Sequence, residues 1–242
     1  MATELVVALD YSDRKSAEIL MDELHGLPVI YKIGLELFMS VDSNWIQAIT
    51  GSGERVFLDL KFHDIPNTVA QAALKASKLG VEFLTVHLSG GKRMLDELDI
   101  RFQEAMITGE ITQRPKVLGV SVLTSFREEE WVANVSRMAK LSSVRPVQDA
   151  VIHFADLAHS HPAVQGMVCS PKEIESVRFK YPELFLMIPG VRMEGSPLND
   201  QARVMTPAQA MKAGASAIVV GRPITQSSNP RKSAEEYLRE IQ

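Results

Sequence analysis

Cysteine is nearly missing from this chain. Its 242 residues include one, Cys169, so an internal disulfide is excluded and no cysteine cluster is available for zinc. Nothing approaches the run of about 18 apolar residues that a membrane-spanning helix needs. No basic tract exceeds two residues, and 26 Lys and Arg against 30 Asp and Glu leave a net charge of −4. That balance provides no electrostatic footprint for a nucleic acid or a membrane surface, although a local basic pocket fits within it. Glycine and proline, 14 and 12 residues, are too few for collagen-like or low-complexity sequence. The N-terminal MATELVVALDYSDRK lacks a basic n-region, and LVVAL is too short for a signal h-region. A soluble, cytoplasmic domain is expected.

What the chain does have is a rhythm. Short apolar runs recur at Leu5–Asp10, Val29–Gly34, Val56–Lys61, Phe83–Ser89, Lys116–Thr124, Gly166–Ser170, Leu184–Gly190 and Ala217–Arg222. Their near-continuous Val, Ile and Leu content suits parallel strands covered on both faces. Between them lie amphipathic stretches with helix signals. Ser12 precedes the first and Thr68 opens VAQAALKASKL, with Gly80 as its stop. Ser170-Pro171 opens KEIESVRF, and Thr206-Pro207 opens AQAMKAG, stopped by Gly214. Residues 126–165 are long enough for two helices in place of one. Eight strands alternating with eight helical stretches predict a single (β/α)8 barrel over residues 1–242. A doubly wound open sheet would want a glycine-rich turn after the first strand, and ALDYSD has none.

In a barrel, functional side chains sit where strands end. Those ends carry Asp10, Lys32, Asp59, Lys61, His87, Thr124, Arg192, Gly221 and Arg222. Within VFLDLKFHDIPNTV, alternation points Asp59 and Lys61 to one face and Leu58, Leu60 and Phe62 to the other. Aliphatic residues packed outward against helices put the Asp/Lys pair inward, with Asp64 just past the strand end. Taken alone, Asp-x-Lys is equally a structural ion pair near a strand terminus. Lys32 and Asp10 at neighbouring strand ends favour a functional array. Such alternating charge can hold a lysine protonated beside a carbanion, but offers no nucleophile, base and orienter for acyl transfer.

DLKFHDIPNTV, with YKIGLELF upstream, PGVR and VMTP downstream and VVGR near the end, closely resembles orotidine 5′-phosphate decarboxylases of the bacterial type. The resemblance runs from LVVALD to VVGRPIT, almost the whole chain. Related barrel enzymes acting on sugar phosphates share Asp-x-Lys-x-x-Asp without the IPNT continuation. The resemblance implies decarboxylation of orotidine 5′-monophosphate to uridine 5′-monophosphate with no cofactor and no metal, in a homodimer. It implies that Lys61 protonates C6 of the pyrimidine. Lys32, Asp59 and Asp64 would complete a charged tetrad, Asp64 coming from the neighbouring subunit. Asp10 would bind a ribose hydroxyl, and Ile65 and Thr68 would lie in the segment crossing the interface. Thr124 would face the pyrimidine edge, while Arg192, Gln201, Gly221 and Arg222 would grip the phosphate.

Physical chemistry supports that assignment separately. Losing CO2 from C6 leaves a vinyl-type carbanion with no carbonyl arm to delocalise it, and no signature for an electron-sink cofactor stands out. Stabilisation must be electrostatic, from a cation fixed where the anion forms. Flanking carboxylates favour the charged form of Lys61, which can then act as general acid. Loops after strands 7 and 8 commonly bind phosphate in barrels. GVRMEGSPLNDQARVMTP is long and polar, as a closing lid should be, and Arg222 offers a forked donor. Met193 stands where the family usually has proline.

Other candidates are weaker. His87 either faces the site or is a hydrogen-bonded barrel histidine. His159 and His161 read as surface histidines, since no carboxylate or cysteine nearby in sequence completes a metal shell. Cys169 reads as an inert buried thiol and the methionines as core filler. Two further functions fit the barrel: a magnesium-dependent sugar-phosphate decarboxylase or aldolase, and a catalytically dead nucleotide binder. The clustered Lys32, Asp59, Lys61 and Asp64 argue against the second, because binding alone does not need four charges beside a base.

Overall fold

Eight short strands carry the apolar runs: β1 (Glu4–Ala8), β2 (Val29–Gly34), β3 (Arg55–Phe62), β4 (Phe83–His87), β5 (Lys116–Val120), β6 (Gly166–Val168), β7 (Phe185–Pro189) and β8 (Ala217–Val220). In the computed structural model, which describes residues 3–139, 147–194 and 205–242, each strand pairs in parallel with the next. β8 pairs back onto β1, so the sheet closes into the expected barrel.

Closure explains the composition of the strands. Val6, Ile30, Phe57, Phe83, Leu118 and Met187 fill the barrel interior as one cluster. Their neighbours Leu5, Val7, Tyr31, Val56, Leu58 and Leu84 point the other way and pack in the larger outer core. Side chains alternate along each strand, yet both faces are dry, so both must be apolar.

The helices follow local signals, with three corrections. Asp13, not Ser12, caps the first helix (Arg14–Leu24), because its carboxylate accepts the Ser16 N–H at 2.9 Å. The helix expected to open at Thr68 begins at Pro66, whose missing N–H costs nothing at the first turn. Short extra helices also break the eight-to-eight count: Leu35–Phe38 follows β2 and Arg222–Thr225 follows β8. Elsewhere the signals agree with the structure. Thr206 and Gln209 form a reciprocal capping box, and Gly214 ends that helix at φ 100°. Residues 126–165 hold two helices, Glu128–Ala139 and Val147–Ser160. No helix among the described residues is long and apolar enough to cross a membrane.

Charges fasten the end of the barrel where strands begin. Arg55 reaches Glu4 at 2.7 Å and Glu82 at 2.6 Å, and Lys116 joins Glu82 at 3.3 Å. Burial pushes the Glu82 carboxyl up, but Arg55 and Lys116 outweigh it and hold the group below its ordinary range. Four residues from three strands and one strand entrance are thereby cross-linked.

Candidate active site

At the opposite end, the inward positions just above the apolar interior change from hydrocarbon to charge. Ile30 is followed two residues on by Lys32, and Phe57 by Asp59. Lys32 Nζ stands 3.1 Å from Asp10 Oδ1 and 3.9 Å from Asp59 Oδ2, and Lys61 Nζ stands 2.8 Å from that same Oδ2. Carboxylate and ammonium therefore alternate across three strand ends, Asp10, Lys32, Asp59, Lys61. The Lys32 and Asp59 side chains are only 11% and 13% exposed, where unpaired charge would be costly.

The strand that carries Asp59 and Lys61 is irregular there. β3 pairs Leu58 with Leu84 and then Phe62 with Val86, so four residues of β3 span the length of two in β4. Lys61 sits inside this bulge with φ 49°, the one non-glycine in the left-handed region among the described residues. Its N–H donates to Thr85 Oγ1 at 2.9 Å, and that hydroxyl donates to Asp59 Oδ1 at 3.0 Å. Thr85, fully buried, escaped the sequence reading. The signal was its parity: the alternation that sends Phe83 into the interior sends Thr85 there too.

Two contiguous cavities open onto this array. The inner one, about 130 Å³, is lined by Lys32, Asp59, Lys61 and Thr124 over an apolar floor that includes Phe57 and Met187. The outer one, about 370 Å³, is lined by Asp10, Lys32, Arg192, Gly221, Arg222 and Gln226. Lys32, Pro189 and Val219 border both. One half therefore suits a flat ring with charge at its edge, and the other suits an anion between two guanidiniums. A Cβ on Gly221 would stand 3.2 Å from Asp10 Oδ2, so glycine lets the end of β8 close on β1. Gln226 was also missed, and nothing in VVGRPITQ marks it.

The segment between β7 and the Thr206-capped helix is pinned at both stems. Val191 and Met205 form an isolated parallel bridge, and Arg192 N–H donates to the Met205 carbonyl at 3.0 Å. Arg192 is buried, 6% exposed. The Met193 N–H donates to the Tyr237 hydroxyl at 3.2 Å. Gln201 lies outside the described residues.

Asp64, Ile65 and Thr68 do not join the array within one chain. Asp64 is exposed and accepts its neighbour's Ile65 N–H at 2.6 Å, and among the described residues it makes no ion pair with Lys61. Ile65 is 68% exposed, and Thr68 is exposed on the first turn of the Pro66–Ser77 helix.

The histidines need one correction. His161 is buried, not superficial: its Nε2 lies 3.1 Å from Asp96 Oδ1 and its Nδ1 accepts the Ala163 N–H. The carboxylate that pairs with it lies 65 residues away in sequence and was invisible there. His159 stacks on Tyr181 at 4.6 Å between centroids. His87 stacks on His63 at 5.1 Å. Burial, then the charges of His63 and Lys61, hold the His87 imidazole below its ordinary range against a smaller opposing pull from Asp59. Cys169 is fully buried, and that burial pushes its thiol up, as an inert group requires. Among the described residues no three His, Cys, Asp or Glu side chains converge to hold a metal ion.

Comparison with known proteins covers the same ground. A family model described as orotidine 5′-phosphate decarboxylase / HUMPS family matches residues 3–237. The chain is 38% identical over 239 residues to the orotidine 5′-phosphate decarboxylase of Pseudomonas syringae pv. tomato, covering 99% of this chain and 97% of that one. It is 39% identical over 240 residues to the enzyme of that name from Moorella thermoacetica, covering 99% and 92%. The crystal structure of orotidine 5′-phosphate decarboxylase from Lactobacillus acidophilus superposes with a TM-score of 0.81 at 32% identity, covering 99% of both chains. That from Pyrococcus horikoshii, at 20% identity and a TM-score of 0.72, shares the fold. Matches that run from β1 into the last helix take in every strand end described above, and this chain belongs to the orotidine 5′-phosphate decarboxylase / HUMPS family.

Proposed function

We propose that this chain decarboxylates orotidine 5′-monophosphate to uridine 5′-monophosphate, the last step in forming that nucleotide. The observation that carries the reading is one shared wall: Lys32 borders both the cavity holding the Asp59–Lys61 pair and the cavity holding Arg192 and Arg222. A nucleotide monophosphate has that layout, a base at one end and a dianion at the other.

With the phosphate between Arg192 and Arg222, the ribose lies beside Asp10 and Lys32, and the pyrimidine enters the inner cavity against Thr124. Gly221 keeps the backbone close to the phosphate, and Gln201 belongs to the same phosphate grip. As the C6–carboxylate bond breaks, its electron pair stays on C6 and CO2 departs. Lys61 delivers its ammonium proton to C6, giving the product, and the neutral amine regains a proton from water. The 2.8 Å contact to Asp59 aims that ammonium before the anion forms, so little reorganisation is needed. The fixed Lys61 ammonium takes the place of an electron sink, so this reading assigns no cofactor or metal.

Asp64, Ile65 and Thr68 act in the partner's site of a cytoplasmic homodimer, which accounts for their exposure and for Asp64 standing apart from Lys61 in its own chain. The decisive experiment follows the orotate absorbance after adding enzyme to orotidine 5′-monophosphate with excess chelator. Absorbance should fall at an undiminished rate. No loss of absorbance overturns the proposal, and loss only with added magnesium favours a metal-dependent relative.

A further inference from the structure

Asp59 is asked to do two things at once, and a third residue decides whether it can. Its Oδ2 receives the Lys61 ammonium at 2.8 Å and lies 3.9 Å from Lys32 Nζ. A carboxylate held from that side alone could swing about its last bond, since such terminal torsions are broad. Its other oxygen, Oδ1, accepts the Thr85 hydroxyl at 3.0 Å. The same hydroxyl accepts the Lys61 N–H at 2.9 Å, where the β3 bulge steps out of register with β4. One buried side chain thus holds the carboxylate of one reactive residue and the backbone of the other.

We infer that Thr85 is a positioning residue for the reaction: it fixes the Asp59 carboxylate and the left-handed Lys61 backbone in one geometry. It is fully buried and does not line either cavity, so it acts through Asp59 and Lys61 and touches no substrate. Its two hydrogen bonds use the hydroxyl in both senses, one given and one accepted, and no alkyl side chain can replace them. The β-branch restricts χ1, which keeps the hydroxyl in place without further partners.

This inference rests on the decarboxylase reading, and the test separates the two. Thr85→Val keeps the shape and deletes the hydroxyl. In it, kcat should fall about 10- to 100-fold, the usual effect of losing a hydrogen bond to a charged group, with KM within about twofold. Thr85→Ser restores the hydroxyl and should recover kcat to within about threefold of the parent. A folded Thr85→Val enzyme with unchanged kcat overturns the inference, as does one in which only KM rises. If Thr85→Val does not fold, Thr85→Cys, a much weaker donor, takes its place. It should show the same split at smaller size, and full kcat there overturns the inference. A parent protein with no turnover overturns the decarboxylase reading instead. Thr85 is then judged on crystal structures of the variants. The Asp59–Lys61 contact should persist in Thr85→Ser and be lost or rotated in Thr85→Val, and an unchanged contact in Thr85→Val overturns the inference.

Discussion

Lys61 meets Asp59 at 2.8 Å from a backbone conformation that no other described non-glycine residue adopts. Left-handed φ costs an L-residue about 1 kcal/mol or more, and such cost is met where function over-determines the geometry. Two substitutions separate the strain from the chemistry. Lys61→Ala and Lys61→Gly should both abolish decarboxylation while remaining folded. Lys61→Gly should be the more stable of the two by about 1 kcal/mol, because glycine enters the left-handed region freely. Urea denaturation of both proteins measures this. Equal stabilities would mean the bulge carries no strain, and turnover in either would remove Lys61 from its role.

The outer cavity makes a prediction about where binding energy is spent. Arg222→Ala should reduce kcat/KM for the phosphorylated substrate about 10- to 100-fold, and barely affect the free nucleoside. Contacts remote from the reacting bond hold the substrate in its reactive orientation, so part of the loss should fall in kcat. Equal losses on both substrates would show that Arg222 does not hold the phosphate.

Asp64 offers a test of the proposed composite site. A Lys61→Ala homodimer and an Asp64→Asn homodimer should each be nearly inactive. In a mixed dimer, one site combines Lys61 of the Asp64→Asn chain with Asp64 of the Lys61→Ala chain and is whole. Random re-mixing makes half the dimers mixed, each with one good site, so about one quarter of full activity should return. If heterodimers form and activity stays at the mutants' average, Asp64 serves its own chain.

The His63–His87 stack sets a pH dependence. The His87 imidazole titrates below its ordinary value of 6.5 in the folded protein, because burial, His63 and Lys61 disfavour its cation more than Asp59 favours it. The unfolded chain then binds this proton first as pH falls. Stability is therefore full above about 6.5 and declines on acidification toward the lowered folded value. Replacing the ring by His87→Asn should flatten that decline in urea midpoints collected from pH 8 to pH 5. An unchanged slope would assign the acid sensitivity to other groups.

The strands were legible in the sequence because a closed parallel barrel demands apolar residues on both faces, and runs such as LVVAL and AIVV can satisfy little else. Asp59 and Lys32 were legible for the opposite reason, as charges placed where those runs stop. The bulge at Lys61 was not. Alternation assigns Lys61 an inward direction, but the register slip against β4 depends on pairing between strands and leaves no mark in DLK. Thr85 went unnoticed because threonine is ordinary in a strand, and its two partners lie 24 and 26 residues away. His161 was misread through distance as well, since its neighbour Asp96 arrives from the helix Gly91–Ile107. Helix starts slipped by one or two residues: Ser12 and its neighbour Asp13 both suit a cap, and the helix from Pro66 is capped by Ile65 with no side-chain bond to mark it.

The Glu4–Arg55–Glu82–Lys116 chain has a consequence for how such a protein can change over generations. It fastens the barrel from the rim opposite the Asp59–Lys61 array, so upkeep of the fold and the proposed reactivity draw on opposite ends of the same strands. A lineage adapting to heat can rework the lower rim and leave the reaction untouched. One adapting to a new nucleotide can rework the mouth while the lower rim keeps the strands closed.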